Sequence, residues 1–262
     1  MNTLLVVDLL GTRSRWQAGG SAAADRAFAA FAQLVADTAR NLDTAAELIG
    51  DIEADFAAVI CPTTESALAL GRRIFRRAFL EPRDDLDPRQ WLRGAICDGG
   101  DDAAVRMRVA MAELPGLRRM QFSPSVMDAL AVVRSGFRGM RLLVADAVLN
   151  DQLRGMFRIP LGRLGVIPFR RLKHTPYPRG LADDYQDLLW MADTPPEWRQ
   201  YAMKMKQRVL WSALDLGELE QAAATQVVFH ECDSILQSVA RKNELQQRSD
   251  GGADGYADDD GD

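Results

Sequence analysis

Residues 4–13 read LLVVDLLGTR, and the reading of this stretch decides the fold. The apolar density from Thr3 to Leu9 is that of a strand buried in a core. Asp8 interrupts the run near its end, and Gly11 follows in D-x-x-G spacing. A second strand-like run, EADFAAVICP at residues 53–62, carries another aspartate, Asp55. Two carboxylates on neighbouring core strands are costly unless something pairs them. No Lys or Arg lies between Thr3 and Gly11 or between Ala46 and Cys61, so neither strand supplies its own partner. Divalent cations with oxygen ligands are a common answer. The pair therefore suggests a two-aspartate metal site beside a glycine-containing turn, which suits phosphate chemistry.

On either side of this pair the chain alternates between strand and helix patterns. After a Gly/Ser turn, a long helix is expected from about Ser21 to Asn41–Asp43, with Phe28, Phe31, Val35 and Ala39 on one apolar face. Ala46–Ile49 and Asp55–Cys61 read as a hairpin with its turn around Gly50–Glu53. Thr63 or Thr64 is placed to cap a helix running to about Leu80, with Glu65 in its first turn. The polar stretch 81–90 leads into a strand, WLRGAICDGG, at residues 91–100. Next come an expected helix over Asp101–Leu114, stopped by Pro115–Gly116, and a short strand at Arg119–Phe122. Ser123 as cap and Pro124 at the first helical position start another helix. Arg141–Ala145 is a further strand. This order predicts an α+β protein with a ferredoxin-like core, extra strands in a mixed sheet, and helices covering one face.

From Gly155 the texture changes. Four prolines (Pro160, Pro168, Pro176 and Pro178) punctuate a loop-rich segment with a basic cluster, FRRLKHTPYPRG, at residues 169–180. After Pro195–Pro196 the pattern is helical to about Leu245, and Trp198, Tyr201, Met205, Leu210 and Leu214 are expected to form its buried stripe. The Trp and Met residues here read as core or dimer packing. The expected organisation is a catalytic domain over 1–150, an extension over 151–248 packing on that core or on a dimer interface, and a disordered Gly/Asp-rich tail over 249–262.

Composition narrows the function. With 262 residues, 47% hydrophobic and 26% charged, the chain has the make-up of a soluble globular protein. The net charge of −5 is concentrated in the tail, which holds six aspartates and no base, and the body is close to neutral. Such a body does not argue for nucleic-acid binding. No apolar run approaches the roughly 18 residues of a membrane span, and the first residues do not read as a signal peptide, so a cytoplasmic protein is expected. Cys61, Cys97 and Cys232 are far apart with no CxxC, which disfavours a disulfide framework or a zinc site. His174 and His230, the only histidines, have no ligand spacing and read as core or solvent-facing. Arg93, entering a strand, reads as the partner of a local acid.

Three motifs together resemble the class III nucleotidyl cyclases. VVDLLGTR resembles their first metal motif, D-[I/L]-x-G, and EADFAAVI their second; LRGAICDGG is similar to the R-G-x-I-x-x-G strand of bacterial cyclase-like proteins, most familiar from the pyrimidine cyclases of Pycsar anti-phage systems. The resemblance covers roughly residues 1–150. It implies two Mg²⁺ or Mn²⁺ ions per site held by Asp8 and Asp55, with the Leu9 carbonyl completing one coordination sphere. It implies that backbone N–H groups of Leu10, Gly11 and Thr12 cradle the β- and γ-phosphates, and that a homodimer shares its active sites. The reaction implied is attack of the ribose 3′-hydroxyl on the α-phosphorus to give a 3′,5′-cyclic nucleotide, which then acts on a separate effector protein.

The departures from the family pattern bear on the substrate. Aligning G-x-x-V-N-x-A-x-R on SPSVMDALA puts Met127 at the ribose-binding asparagine and Ala131 at the transition-state arginine. Arg134 and Arg141 are the substitute candidates. The base-selecting position, four residues before the second aspartate, is Asp51. A carboxylate there can accept from uracil N3–H or cytosine N4–H, which favours UTP, with CTP as the alternative. A purine cyclase with altered residues, or a cyclase-fold module that binds nucleotide without turnover, are the other readings. Asp51 in a plain turn is the structural alternative for that residue.

Overall fold

The computed structural model describes residues 2–42, 47–49, 55–80, 90–99, 124–161, 164–173, 177, 184–213 and 216–251. The expected turn at 50–53, the helix at 101–114 and the strand at 119–122 lie outside the described residues, as does Asp51.

The run that opens the chain is strand β1, Thr3–Leu10, buried along its whole length. It is buried because it lies between two antiparallel neighbours, β3 (Phe56–Cys61) and β4 (Trp91–Asp98). With β2 (Glu47–Ile49) beyond β3, the first four strands lie in the order β2-β3-β1-β4. Helix α1 (Thr12–Arg40) follows β1, and α2 (Thr64–Leu80) follows β3. This is the expected βαββαβ ferredoxin-like arrangement. β5 (Leu142–Ala145) then adds to β4 in parallel, which makes the sheet mixed.

Strand alternation divides the core. Leu5, Val7 and Leu9 face α1 and α2, meeting Phe31, Leu34, Leu68 and Phe75. Leu4 and Val6 face the other way, onto helix α3 (Pro124–Arg134) through Val126, Ala129, Leu130 and Val133. Helices therefore cover both faces of the sheet, where the sequence reading placed them on one. Asp8 continues the Leu4–Val6 series and so belongs to the α3 side.

Two glycines are required by geometry. Gly11, between β1 and α1, has φ 82° and ψ 8°, a left-handed conformation that side chains rarely tolerate. Gly94 in β4 lies where a Cβ would meet the Val6 carbonyl oxygen at 2.8 Å and Phe75 Cε2 at 3.3 Å. The glycine of the R-G pair thus lets α2 and β1 close on β4.

Gly20 has a non-helical backbone (φ 68°, ψ −168°) and separates two helical segments of α1, so the long segment starts at Ser21 as the sequence reading placed it. The helical segment before it, from Thr12, was not expected.

Beyond residue 150 the described parts of the Pro-punctuated segment form regular elements. A short helix, α4 (Asp151–Met156), starts where the Asn150 side chain accepts the Leu153 N–H at 2.8 Å. β6 (Ile159–Leu161) and β7 (Leu164–Val166) form a separate hairpin. β8 (Phe169–Arg170) and β9 (Tyr185–Leu188) join the main sheet, whose order is β2-β3-β1-β4-β5-β9-β8. Helices α5 (Pro196–Ala213) and α6 (Leu216–Gly251) follow. α6 carries helical structure to residue 251, three residues into the stretch read as a disordered tail. Phe79, Trp190 and Phe229 meet edge to face at 5.0–5.9 Å and tie α2, the turn after β9 and α6 together. No described helix is long and apolar enough to cross a membrane.

The buried face of α5 is the opposite of the one read from sequence. Trp198 and Tyr201 are each 62% exposed, and Met205 is also exposed. Arg199, Met203 and Lys206 are buried instead. Arg199 donates to the Met191 carbonyl at 3.1 Å and pairs with Asp233. Lys206 donates to the Ala78 carbonyl at 3.0 Å and lies over the rings of Phe79 and Trp91. Long cationic side chains with apolar stems and hydrogen-bonded terminal nitrogens account for this inversion, with Arg199 Nε buried and unpartnered. Leu210 and Leu214 lie where side chains or residues are not described.

Replacing Gly94 by alanine should destabilise the fold by about 1–3 kcal/mol, because the new methyl meets backbone and not only movable side chains. Urea denaturation measures it, and an unchanged midpoint would contradict the close approach of β1 and β4.

Candidate functional site

β1, β3 and β4 bring their polar residues to one end of the sheet. Asp8 lies directly opposite Arg93 in the β1–β4 register and opposite Phe56 in the β1–β3 register. Asp55, one residue before β3, accepts the Leu9 N–H on its carbonyl at 2.6 Å. The two aspartates predicted to act together are therefore brought to adjoining strand ends, beside the Gly11 turn and the first turn of α1.

Asp8 is 2% exposed, and its Oδ2 accepts from Arg93 Nε at 2.8 Å. Burial pushes this carboxyl up to about 6. The Arg93 charge and hydrogen bond work against burial, the negative charge of Asp55 adds to it, and Arg134 lowers it. Asp55 is half-buried. Its Oδ2 accepts from the Thr12 hydroxyl at 3.4 Å and its Oδ1 from Arg134 Nη2 at 3.4 Å. Arg134 comes from the end of α3 and stacks over Phe56 at 5.6 Å. The first turn of α1 has no acidic residue of its own, so its positive N-terminal end faces the Asp55 side of the site uncompensated from within the helix.

The partner of the buried carboxylate thus comes from a third strand. The absence of bases in β1 and β3 does not by itself require a metal, because Arg93 of β4 already faces Asp8. The expectation that Arg93 pairs with a local acid matches this contact.

The remaining candidates separate. Leu9 and Leu10 have buried side chains, so only their backbone groups are available to a ligand. Gly11 and Thr12 are partly exposed at the turn. Met127 and Ala131 stand exposed on α3, two turns and one turn before Arg134 respectively. Arg141 is not available to a substrate. It is 1% exposed, paired with Asp187 through Nε at 2.7 Å and Nη2 at 2.8 Å, and stacked on Tyr177 at 4.5 Å and on Phe137 at 5.4 Å. Burial works against its charge, and Asp187 more than restores it. Arg141 is a structural ion pair joining β5 to β9, which corrects the catalytic assignment.

The donor set can be tested against a divalent ion. Among the described residues no cluster of three or more His, Cys, Asp or Glu side chains is poised for a metal. Two carboxylates and a backbone carbonyl do not make a closed cage. They do fit Mg²⁺, which is bound through one or two carboxylates plus water and substrate phosphates. An aspartate raised by burial, with a second carboxylate adding to the shift, is also an electrostatic setting that a cation relieves.

Sequence reasoning missed Phe56 under Arg134 and the Thr12 hydroxyl on Asp55. The strand register gives a signal for the second, since Thr12 follows the Gly11 turn. The first depends on the path of α3 over the sheet and leaves no local signal.

The sequence matches no protein-family model and no curated protein. Solved structures similar to the chain include adenylate cyclases from Trypanosoma brucei in their monomeric state. One has a TM-score of 0.42 and 17% identity over 71% of this chain and 86% of that one. Another has a TM-score of 0.39 and 14% identity over 71% of this chain and 87% of that one. Likenesses of this size say nothing about activity.

Removing the Arg93 head group by Arg93→Ala should cost about 3 kcal/mol, because it leaves the Asp8 charge buried without its partner. Adding Asp8→Asn should recover much of that loss. In metal-free protein the raised Asp8 carboxyl favours folding most fully below its ordinary value of 3.8, and that contribution is lost as the pH rises through about 6. Recovery in the double variant should therefore be larger at alkaline than at acidic pH. Denaturation in EDTA measures it, and purely additive losses would contradict the pairing.

Proposed function

We propose that the protein is a nucleotidyl cyclase that converts a pyrimidine nucleoside triphosphate, UTP before CTP, into its 3′,5′-cyclic monophosphate and pyrophosphate. The observation that carries the reading is the meeting of Asp8 and Asp55 at adjoining strand ends beside the left-handed Gly11 turn and the α1 N-terminus. That geometry joins two carboxylates to a backbone cradle, which a triphosphate and its divalent ions both require.

Asp8, Asp55 and the Leu9 carbonyl would hold Mg²⁺ or Mn²⁺, which would supply Lewis-acid stabilisation of the phosphates and lower the pKa of the ribose 3′-hydroxyl. The N–H groups of Leu10, Gly11 and Thr12 orient the β- and γ-phosphates. Their dipoles are fixed before substrate arrives, so little reorganisation is needed when charge moves onto the leaving pyrophosphate. Arg134 reaches the site from its own chain and neutralises charge on the phosphates once it leaves Asp55. Asp51 accepts from the base N–H. A homodimer supplies the groups that Met127 and Ala131 lack, and the cyclic product acts on a separate effector in anti-phage defence, the role that the resemblance implies.

A second reading has its own observation. Arginines already occupy both carboxylates, and the positions of the usual asparagine and arginine hold Met127 and Ala131. A module that binds nucleotide without turnover accommodates these facts.

Incubation of the purified protein with Mn²⁺ and each of the four nucleoside triphosphates, with products identified by mass spectrometry, separates the readings. The expected product is cyclic UMP. A cyclic purine would overturn the base assignment, and no product from a folded protein that binds Mn²⁺ through Asp8 would favour the binding module. Asp8→Ala and Asp55→Ala should each lower turnover by at least about 100-fold without loss of fold, since ligand removal costs no less than the loss of a ligand's supporting partner. Asp51→Lys should lower pyrimidine turnover with little change in thermal stability. Arg141→Ala should instead destabilise the protein by about 3–5 kcal/mol, as expected when one partner of a buried pair is removed. A stable but inactive Arg141→Ala protein would return that residue to the site.

A further inference from the structure

Helix α2 carries the sequence GRRIFRRAFL, with Arg72, Arg73, Arg76 and Arg77 along its outer side. Its inner side, including Leu68, Leu70, Ile74 and Phe75, is buried against the sheet. Arg72 and Arg76 are four apart, as are Arg73 and Arg77. Like charges at this spacing destabilise a helix by about 0.2–0.5 kcal/mol per pair. A local conflict of this kind is expected where a surface serves a ligand.

The four arginines line a cleft of about 470 Å³. Its opposite wall comes from the C-terminal region. Phe157 ends α4, and Asp193 lies in the turn after β9. Asp193 is the one acidic residue of the lining, with its Oδ2 2.7 Å from Arg72 and 3.0 Å from Arg76. Burial opposes the Asp193 charge, but the Arg72 hydrogen bond and the Arg72 and Arg76 charges overcome it and hold the carboxyl below its usual range. Arg77 donates to the Thr38 hydroxyl at 2.7 Å. Arg72 Nε is buried and has no hydrogen-bond partner. Among the described residues of the lining, Arg72 and Arg76 share the Asp193 carboxylate, and Arg73 stands beside them.

This cleft is not the carboxylate site. α2 covers the face of the sheet that Leu5, Val7 and Leu9 meet, whereas Asp8 belongs with Leu4 and Val6 on the α3 face.

We propose that the α2 cleft is a second binding site, for a polyphosphate anion. Guanidinium forks match phosphate oxygens in pairs, and Arg72, Arg73 and Arg76 set against the single Asp193 carboxylate leave positive charge that suits a polyanionic ligand. Leu80 and Phe157 give the cleft an apolar flank against which the base of a nucleotide packs when the polyphosphate is part of one. Because its walls come from α2 and from the segments after residue 150, a bound anion braces the C-terminal region against the sheet core.

The test uses inorganic triphosphate and the full chain in EDTA, so that metal-dependent binding at Asp8 and Asp55 makes no contribution. Calorimetric titration should give saturable binding, and the melting temperature should rise with ligand concentration. The double variant Arg73→Gln/Arg76→Gln keeps the Arg72–Asp193 pair and should bind at least about tenfold more weakly, as expected for the loss of two charge-assisted contacts. Asp8→Asn should bind as the wild type does. Asp193→Asn removes the competing carboxylate and should bind severalfold more tightly, which keeps the proposal open to disproof if the arginine variant fails to fold. UTP in EDTA, compared with triphosphate, shows whether the apolar flank contributes: tighter binding that the double variant loses assigns the cleft to nucleotides, and equal binding assigns it to free polyphosphate. No saturable binding of triphosphate, equal affinity in the arginine variant, or loss of binding in Asp8→Asn would each overturn the proposal.

Discussion

A carboxylate in the middle of a seven-stranded sheet needs a counter-charge, and Arg93 supplies it from the strand directly alongside. Asp8 cannot leave the core, because β1 is hydrogen-bonded on both sides and buried throughout. The chain around it is arranged to permit that burial. Gly94 lets β1 and β4 close, so that Asp8 and Arg93 stand opposite each other, and Gly11 turns the backbone out of the sheet within three residues. Asp55 arrives on the other flank through its backbone bond to Leu9. The site is thus a consequence of strand register, and its charge balance is close: burial still holds the Asp8 carboxyl near 6 despite the arginine.

The same logic governs the other buried charges. Arg141–Asp187 joins β5 to β9, and Arg199–Asp233 fixes α5 on α6. Each pairs a residue of one element with a residue of a later one, so the segments after residue 150 are locked to the sheet by ion pairs as well as by the Phe79–Trp190–Phe229 cluster. Such pairs contribute little net stability against apolar replacements but specify one arrangement among several apolar ones.

Most of the first half of the fold was legible because its signals are local. The apolar runs at β1, β3 and β4, the α2 face and the Pro124 helix start all lie within a few residues of the features that determine them. The misreadings share one cause. Trp198 and Tyr201 read as core by residue type, whereas Arg199 and Lys206 are buried because their partners lie 34 and 128 residues away. Arg141 looked free because Asp187 is 46 residues distant and in another strand. In the site, the two aspartates were visible as a pair, while the arginines that hold them depend on register and on the path of α3, neither of which a single sequence displays.

The decisive measurement is a crystal structure of the protein with Mn²⁺ and a UTP analogue whose α,β-bridging oxygen is replaced by methylene, with manganese located by its anomalous signal. The expected result is manganese between Asp8 and Asp55, with the triphosphate along the Gly11 turn and Arg93 displaced from Asp8. Absence of manganese from this position, with nucleotide bound elsewhere and Arg93 still on Asp8, would contradict the assignment of the two carboxylates to a metal-dependent nucleotide site.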